Sequence, residues 1–452
     1  MKISNAAIML LAIGLPVAVA SGQDLSEDVV ELRQMILEMR DDYERRIGEL
    51  EARLDEAERD ARGAERKAGE AIELAEETAI GQSAGSSAPN TFNPSIGAVL
   101  TGHYADVGTG WDEIPGFQPA GEIGTGGSGF ALGEAEINMK ASIDAKYFGN
   151  LTFALHEEDG AVELELEEAW VQTTDLPAGL SLTGGRFFSE AGYLNNFHLH
   201  TDDFVDRPLP YQAFFGGRYG VDGLQARWLA PTSLMFEVGT ELNWGSGFPA
   251  TANGETSPGS WTVFTNVGGD IGDSNSWQIG LSHVATDAID RAGGHEHEHE
   301  DGEEPGTFTG NSDLTVVDFV WKWAPRGNPT VNNFKIQGEY FHRDEDGILE
   351  DLPYDGEQTG WYLQGVWQFT QLWRLGLRHD VVDADNGSSM DGTEFETPGR
   401  SSRRTSAMLD WSPSEFSRLR LQYTNDQVLA ESDNQWFLQY IMSVGAHGAH
   451  QF

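Results

Sequence analysis

Residues 293–301 read Gly-Gly-His-Glu-His-Glu-His-Glu-Asp. Imidazole and carboxylate packed into one short segment suit a borderline divalent ion such as Zn²⁺. The ligands it offers are His295, Glu296, His297, Glu298, His299 and Glu300. In an extended chain the His side chains project to one side and the Glu side chains to the other. A flexible loop wraps an ion less regularly. His295-Glu296 and His299 also fit the zinc-protease pattern H-E-x-x-H, which needs a helix to bring both imidazoles to one face. Gly293-Gly294 before it and Gly302 and Pro305-Gly306 after it break helices. The segment therefore reads as a metal-capturing loop and not as a protease. The competing reading is a solvated polar loop with no ligand.

A second cluster falls in residues 189–220. His198, His200, Asp202 and Asp203 form the second metal candidate, with Asp206 and Arg207 close behind. Phe197, Phe204, Tyr211, Phe214 and Phe215 lie among them. A connection this long and this aromatic does not sit wholly in water. Two further matches carry no chemistry. Gly81-Gln82-Ser83-Ala84-Gly85 fits G-x-S-x-G but does not follow a strand. Gly124-Thr125-Gly126-Gly127-Ser128-Gly129 fits G-x-G-x-x-G but precedes no helix. No catalytic constellation emerges, and the expectation is a protein that is not an enzyme.

The elements that position these loops are strands. In 360–369, Trp361, Leu363, Trp367 and Phe369 share one parity and Tyr362, Gln364 and Gln368 the other. A short break leads to Trp373, Leu375 and Leu377 alternating with Arg374 and Arg378. Period two means strand, and the pair reads as a hairpin. The same pattern predicts strands at 96–106, 131–143, 148–156, 164–173, 180–188, 221–229, 234–244 and 261–270. It continues at 277–285, 314–323, 334–342, 360–369, 373–382, 404–411, 418–424 and 436–445. That is about sixteen, the even number expected of a bacterial barrel. Glu167-Glu168 interrupts the alternation in 164–173, which predicts a bulge.

Connections alternate short and long. Short ones include 230–233, 272–275 and 412–415. Long ones include 107–130, 189–220, 245–260, 286–313, 343–359 and 383–403. Short periplasmic turns and long external loops produce this alternation; a soluble sandwich has no reason to. The fold expected is an all-β transmembrane barrel over 96–452, its apolar face toward lipid and its polar face lining a lumen. The His-rich segment then falls in a long external loop. The lumen would carry Glu134, Glu136, Glu237 and Glu241 on earlier strands and Arg374, Arg378, Arg404, Arg418 and Arg420 on later ones. Such opposed walls would set a transverse field.

Upstream, Lys2, an apolar run over 6–19 and Ala18-Val19-Ala20 read as a secretory signal over 1–20. Residues 21–80 read as a periplasmic α-helical coiled coil. Val29, Leu32, Ile36, Met39, Tyr43, Ile47, Leu50 and Leu54 recur at three-four spacing, followed by an Ala seam. Residues 81–95 form a flexible linker. The chain has no Cys, which removes disulfides and thiolate metal sites. Asp and Glu number 73 against 28 Lys and Arg, for a net charge of −45. This excess repels anions, so nucleic acid is no partner.

The last strand alternates Trp436, Leu438, Tyr440, Met442 and Val444, and Phe452 ends the chain on the same parity. With this, the chain resembles the outer-membrane porins, in which a terminal Phe is the signal for the barrel-assembly machinery. Glu167-Glu168-Ala169-Trp170-Val171-Gln172 followed by Gly184-Gly185-Arg186-Phe187 is similar to the phosphate-selective-porin group. Some related porins also carry an N-terminal periplasmic coiled coil. The resemblance implies a homotrimeric diffusion channel in outer-membrane lipid, needing no cofactor. In general porins the third loop narrows the lumen, and residues 189–220, third among the external loops, either do so or pack on the barrel rim or at the trimer interface. It brings no substrate, and the acid excess argues against phosphate. The function expected is passive diffusion of small cationic solutes, with Zn²⁺ or another divalent ion held at the external loop. The alternatives are a metal or metallophore receptor of the TonB-dependent type and a barrel that tethers the envelope.

Overall fold

The computed structural model describes residues 94–118, 123–158, 161–250, 257–292, 306–393 and 395–445. The signal, the coiled coil, the linker up to residue 93, His295–Glu300 and Phe452 lie outside the described residues.

Seventeen strands follow in chain order. They are β1 (Ser95–Asp106), β2 (Gly129–Leu132), β3 (Ala135–Ser142), β4 (Tyr147–Glu158), β5 (Ala161–Thr173) and β6 (Leu180–Phe188). Then come β7 (Gly220–Leu229), β8 (Met235–Asn243), β9 (Ser260–Ile271), β10 (Asn275–Ala292), β11 (Thr307–Trp323) and β12 (Asn333–Leu349). The last are β13 (Leu352–Thr370), β14 (Trp373–Asp385), β15 (Ser402–Ser414), β16 (Ser417–Gln427) and β17 (Asp433–Gly445). β2 and β3 both pair with β1 and are two halves of one stave, so the staves number sixteen. The break has a local cause. A Cβ on Gly133 would lie 2.2 Å from Thr101 Oγ1, and that hydroxyl donates to Glu134 O at 2.7 Å. Thr101 thus occupies the space where a ladder residue would stand.

All neighbours are antiparallel, and β17 returns to β1, from Gly97 opposite Gly445 to Asp106 opposite Trp436. Closure removes every sheet edge, which a membrane demands because lipid offers no partner for a free N–H or C=O. The pleat sorts side chains as the alternation predicts. Tyr362 is 1% exposed and Leu363 52%; Arg378 is 2% exposed and Leu377 62%. Outward Ile, Leu, Phe and Trp recur around the whole ring. An apolar exterior this large is inverted relative to a water-soluble protein and matches a bilayer.

Three features differ from the sequence reading. The strands around the loops expected at 286–313 and 343–359 run on, to Ala292 in β10, from Thr307 in β11, to Leu349 in β12 and from Leu352 in β13. In place of a long loop at 343–359 stands a tight turn at Glu350-Asp351, both with positive φ (51° and 64°). The extension was hidden because its outward residues, Asp344 and Asp346, are charged like its inward ones. Arg343 and Glu345 are buried inside, and Glu345 pairs with Arg291 of β10 at 2.7 Å. Polar residues on both faces carry no hydropathy alternation. Ser95, assigned above to the linker, already belongs to β1.

The interior is packed with protein. Residues 107–118 and 189–219 fold inward, and the second segment carries a short helix, α1 (Leu209–Phe215). Pro208 and Pro210 fix its start, and Gly216, left-handed at φ 61°, ends it. Phe214 stacks on Phe341 of β12 at 5.5 Å and meets Phe117 edge-on at 5.5 Å. Each such ring, fully buried, contributes about 1.5–3 kcal/mol. This inner cluster fastens α1 to β12, β13 and β14.

Candidate functional site

Residues 189–219 leave the barrel wall between β6 and β7 and cross the lumen. The base is held by Glu241 of β8, which accepts from Ser189 Oγ at 2.6 Å and from Glu190 N at 3.0 Å. Midway, Glu339 of β12 accepts from Leu194 N at 2.9 Å, Tyr211 Oη at 2.9 Å and Tyr362 Oη at 2.5 Å. Glu339 was not singled out in the sequence, although its inward parity in β12 was readable there.

Far across the lumen the loop's acids meet the basic wall. Asp203 lies 2.5 Å from Lys335 Nζ and 2.9 Å from Arg374 Nη1. Asp206 pairs with Arg378 at 2.9 Å and with Arg404. Strand acids complete the array. Asp380 is 3.0 Å from Arg378, Asp426 is 2.8 Å from Arg404, and Asp410 is 2.9 Å from Arg420 and 3.7 Å from Arg418. Burial opposes ionisation of Asp203 and Asp206, but the facing Lys335, Arg374, Arg378 and Arg404 outweigh it. Both carboxyls stay below the usual carboxylate range.

On the near side the loop's imidazoles meet the acidic wall. His198 Nδ1 is 3.1 Å from Glu136 Oε2 and 3.3 Å from Glu167 Oε2, and its Nε2 is 3.0 Å from Glu168 Oε2. His200 Nδ1 is 2.7 Å from Glu136 Oε1. Arg218 reaches Glu134 at 3.1 Å and also contacts Glu167. Burial works against a charge on His198, but the Glu136 charge and contacts to three carboxylates outweigh it. The imidazole is held well above its ordinary range, which favours its cationic form.

The bulge makes this wall. Thr152 of β4 opposes Glu168 and Phe153 opposes Leu166, so Glu167 is the extra residue. Regular alternation would turn one of the two carboxylates outward into lipid. The bulge turns both inward, and both are buried.

The structure separates two groups that the sequence placed together. Of His198, His200, Asp202 and Asp203, the imidazoles join Glu136, while Asp203 joins Lys335 and Arg374 and Asp202 pairs with Arg207 at 2.6 Å. Four residues within six positions, with a single 3-10 turn at Leu199–Thr201 among them, point to opposite walls. The charged walls do not confront each other across open water either. Arg374, Arg378, Arg404, Arg418 and Arg420 line one side and Glu134, Glu136 and Glu241 the other, with the loop between them. Glu237 faces inward near Arg227 Nη1 at 3.6 Å. Two cavities among the described residues flank the loop. A cavity of about 130 Å³ lies beside Glu168, Trp170 and Arg227, and one of about 370 Å³ beside Tyr193, Asp270 and Lys322.

No family model matches the chain. An uncharacterized protein of Aquifex aeolicus (strain VF5) is 28% identical over 353 residues, 72% of this chain and 70% of that protein. A loop L8 deletion mutant of OmpT, an outer membrane protein of Vibrio cholerae, superposes with a TM-score of 0.50 at 10% identity, over 78% of this chain and 100% of the other. The outer membrane channel DcaP of Acinetobacter baumannii does so with a TM-score of 0.50 at 12% identity, over 80% and 100%. These likenesses show the fold, a sixteen-stave antiparallel β-barrel of the kind found in outer-membrane proteins.

Proposed function

We propose that the chain is an outer-membrane channel for passive diffusion of small solutes, with a preference for cations. The observation that carries this reading is the closed barrel, apolar outside and polar inside, narrowed by its own residues 189–219. TonB-dependent receptors enclose a plug in about 22 strands, and sixteen staves leave no room for one.

Cation preference follows from how the charges are paired. Asp203, Asp206, Asp380, Asp410 and Asp426 lie against the five arginines of the basic wall. That wall keeps little field with which to draw anions. On the other side Glu134, Glu136, Glu167 and Glu168 face Arg218 and His198, leaving an excess of carboxylate. A cation gains there and an anion loses. Single-channel recording under a salt gradient tests the reading. Two finer points belong to the proposal. His295, His297 and His299 hold Zn²⁺ at the outer mouth, and the chain assembles as a homotrimer through its barrel and the helical segment 21–80. Replacing the three His with Ala should lower Zn²⁺ binding in calorimetry and leave bulk conductance nearly unchanged; equal binding would remove that loop from the account.

A further inference from the structure

The acidic wall has the form of a metal site. His198 Nδ1 faces Glu136 Oε2 at 3.1 Å and Glu167 Oε2 at 3.3 Å. Donors bound to one tetrahedral Zn²⁺ at about 2.0–2.1 Å stand about 3.3 Å apart, and these two separations match that spacing. One ligand atom from each of the three residues lies within 4.8 Å of the others.

Each ligand also has an outer partner. Glu168 Oε2 holds His198 Nε2 at 3.0 Å, which orients the ring and leaves Nδ1 toward the two carboxylates. His200 Nδ1 holds Glu136 Oε1 at 2.7 Å, and Arg218 lies on Glu167 Oε1. Carboxylate and imidazole partners of this kind fix the ligands of zinc sites. An independent observation concerns Glu167. Its side chain is 2% exposed, and its oxygens meet only two cationic groups, Arg218 at Oε1 and His198 Nδ1 3.3 Å from Oε2, neither in good hydrogen-bond geometry. A buried carboxylate held by ionic company alone is costly, and a cation between it and Nδ1 relieves that cost.

We propose that Glu136, Glu167 and His198 bind one divalent transition-metal ion of the zinc class on the wall of the constriction. Two carboxylates and one neutral imidazole leave a fourth position for water or a passing ligand. The ion takes the place of the proton on His198 Nδ1, which leaves to solvent. The location on the permeation route rests on the channel reading, but binding itself does not. Loss of conduction would overturn the channel and leave the site standing; loss of binding would do the reverse.

The test uses the purified full chain carrying His295→Ala, His297→Ala and His299→Ala, so that the outer loop contributes nothing. Calorimetry with Zn²⁺ should give one ion per chain, and an anomalous difference map should place it between the three side chains. Glu168→Gln keeps every ligand and should weaken binding about 10–100-fold. His198→Asn should abolish it, with heat-resistant gel migration reporting that the barrel has formed. If His198→Asn fails to fold, the map and Glu168→Gln decide. No binding in the loop variant, an ion lying elsewhere, or parental affinity in Glu168→Gln and His198→Asn would overturn the site.

Discussion

Asp206 stands between Arg378 and Arg404, and Gln422 Nε2 donates to its other oxygen at 2.7 Å. Replacing it with Asn leaves two buried guanidinium groups short of charge. Breaking a buried pair costs about 3–5 kcal/mol, and the lower end applies because Asp380 and Asp426 remain. Asp206→Asn should therefore lower the thermal midpoint of the loop's release and raise open-channel noise; an unchanged midpoint would contradict the pairing. The pH dependence has a definite sign. Asp203 and Asp206 are depressed in the folded state. Their contribution is complete above the unfolded carboxylate range and is lost as pH falls through the folded value. Hydrogen exchange across residues 199–207 should stay slow from neutral pH to about 4 and quicken only in stronger acid. Release of this segment near pH 6 would count against the seat on the basic wall.

At the scale of elements, the loop's approach to β12 leaves no room for a side chain at residue 192. Gly192 has φ 86°, and a Cβ there would lie 2.4 Å from Glu339 Oε2 and 2.7 Å from Tyr211 Oη. Gly192→Val should lift the loop from Glu339, widen the lumen and raise unitary conductance, while β1 and β17 still close the barrel. Conductance equal to the parent would show that this segment does not restrict the path. The strands themselves were legible because a bilayer-facing side and a water-facing side force hydropathy to alternate; Leu180–Phe188 matches its predicted range at both ends. The Glu167-Glu168 bulge was legible for the same reason, as an interruption. The extensions of β12 and β13 were not, because their outward residues Asp344, Asp346, Asp355 and Glu357 are charged where the rest of the barrel is apolar. Nor was the division of His198 and His200 from Asp202 and Asp203, since only the folded loop shows which wall each one meets.

At the scale of the whole molecule, the ring closes within Ser95–Gly445, where β17 returns to β1. Deleting 24–80 should leave a barrel that still resists heat on a gel and still conducts; failure of the barrel to form would refute this modularity. The central claim is that the loop-narrowed lumen is a cation-preferring path, because the arginines are paired and the glutamates outnumber their partners. Reversal potential in a planar bilayer under a salt gradient measures that balance directly. Steady conductance is expected, with a reversal potential of the sign set by cation permeation, shrinking toward zero as salt screens the carboxylates. A barrel that does not conduct, or a reversal potential of the opposite sign, would contradict it.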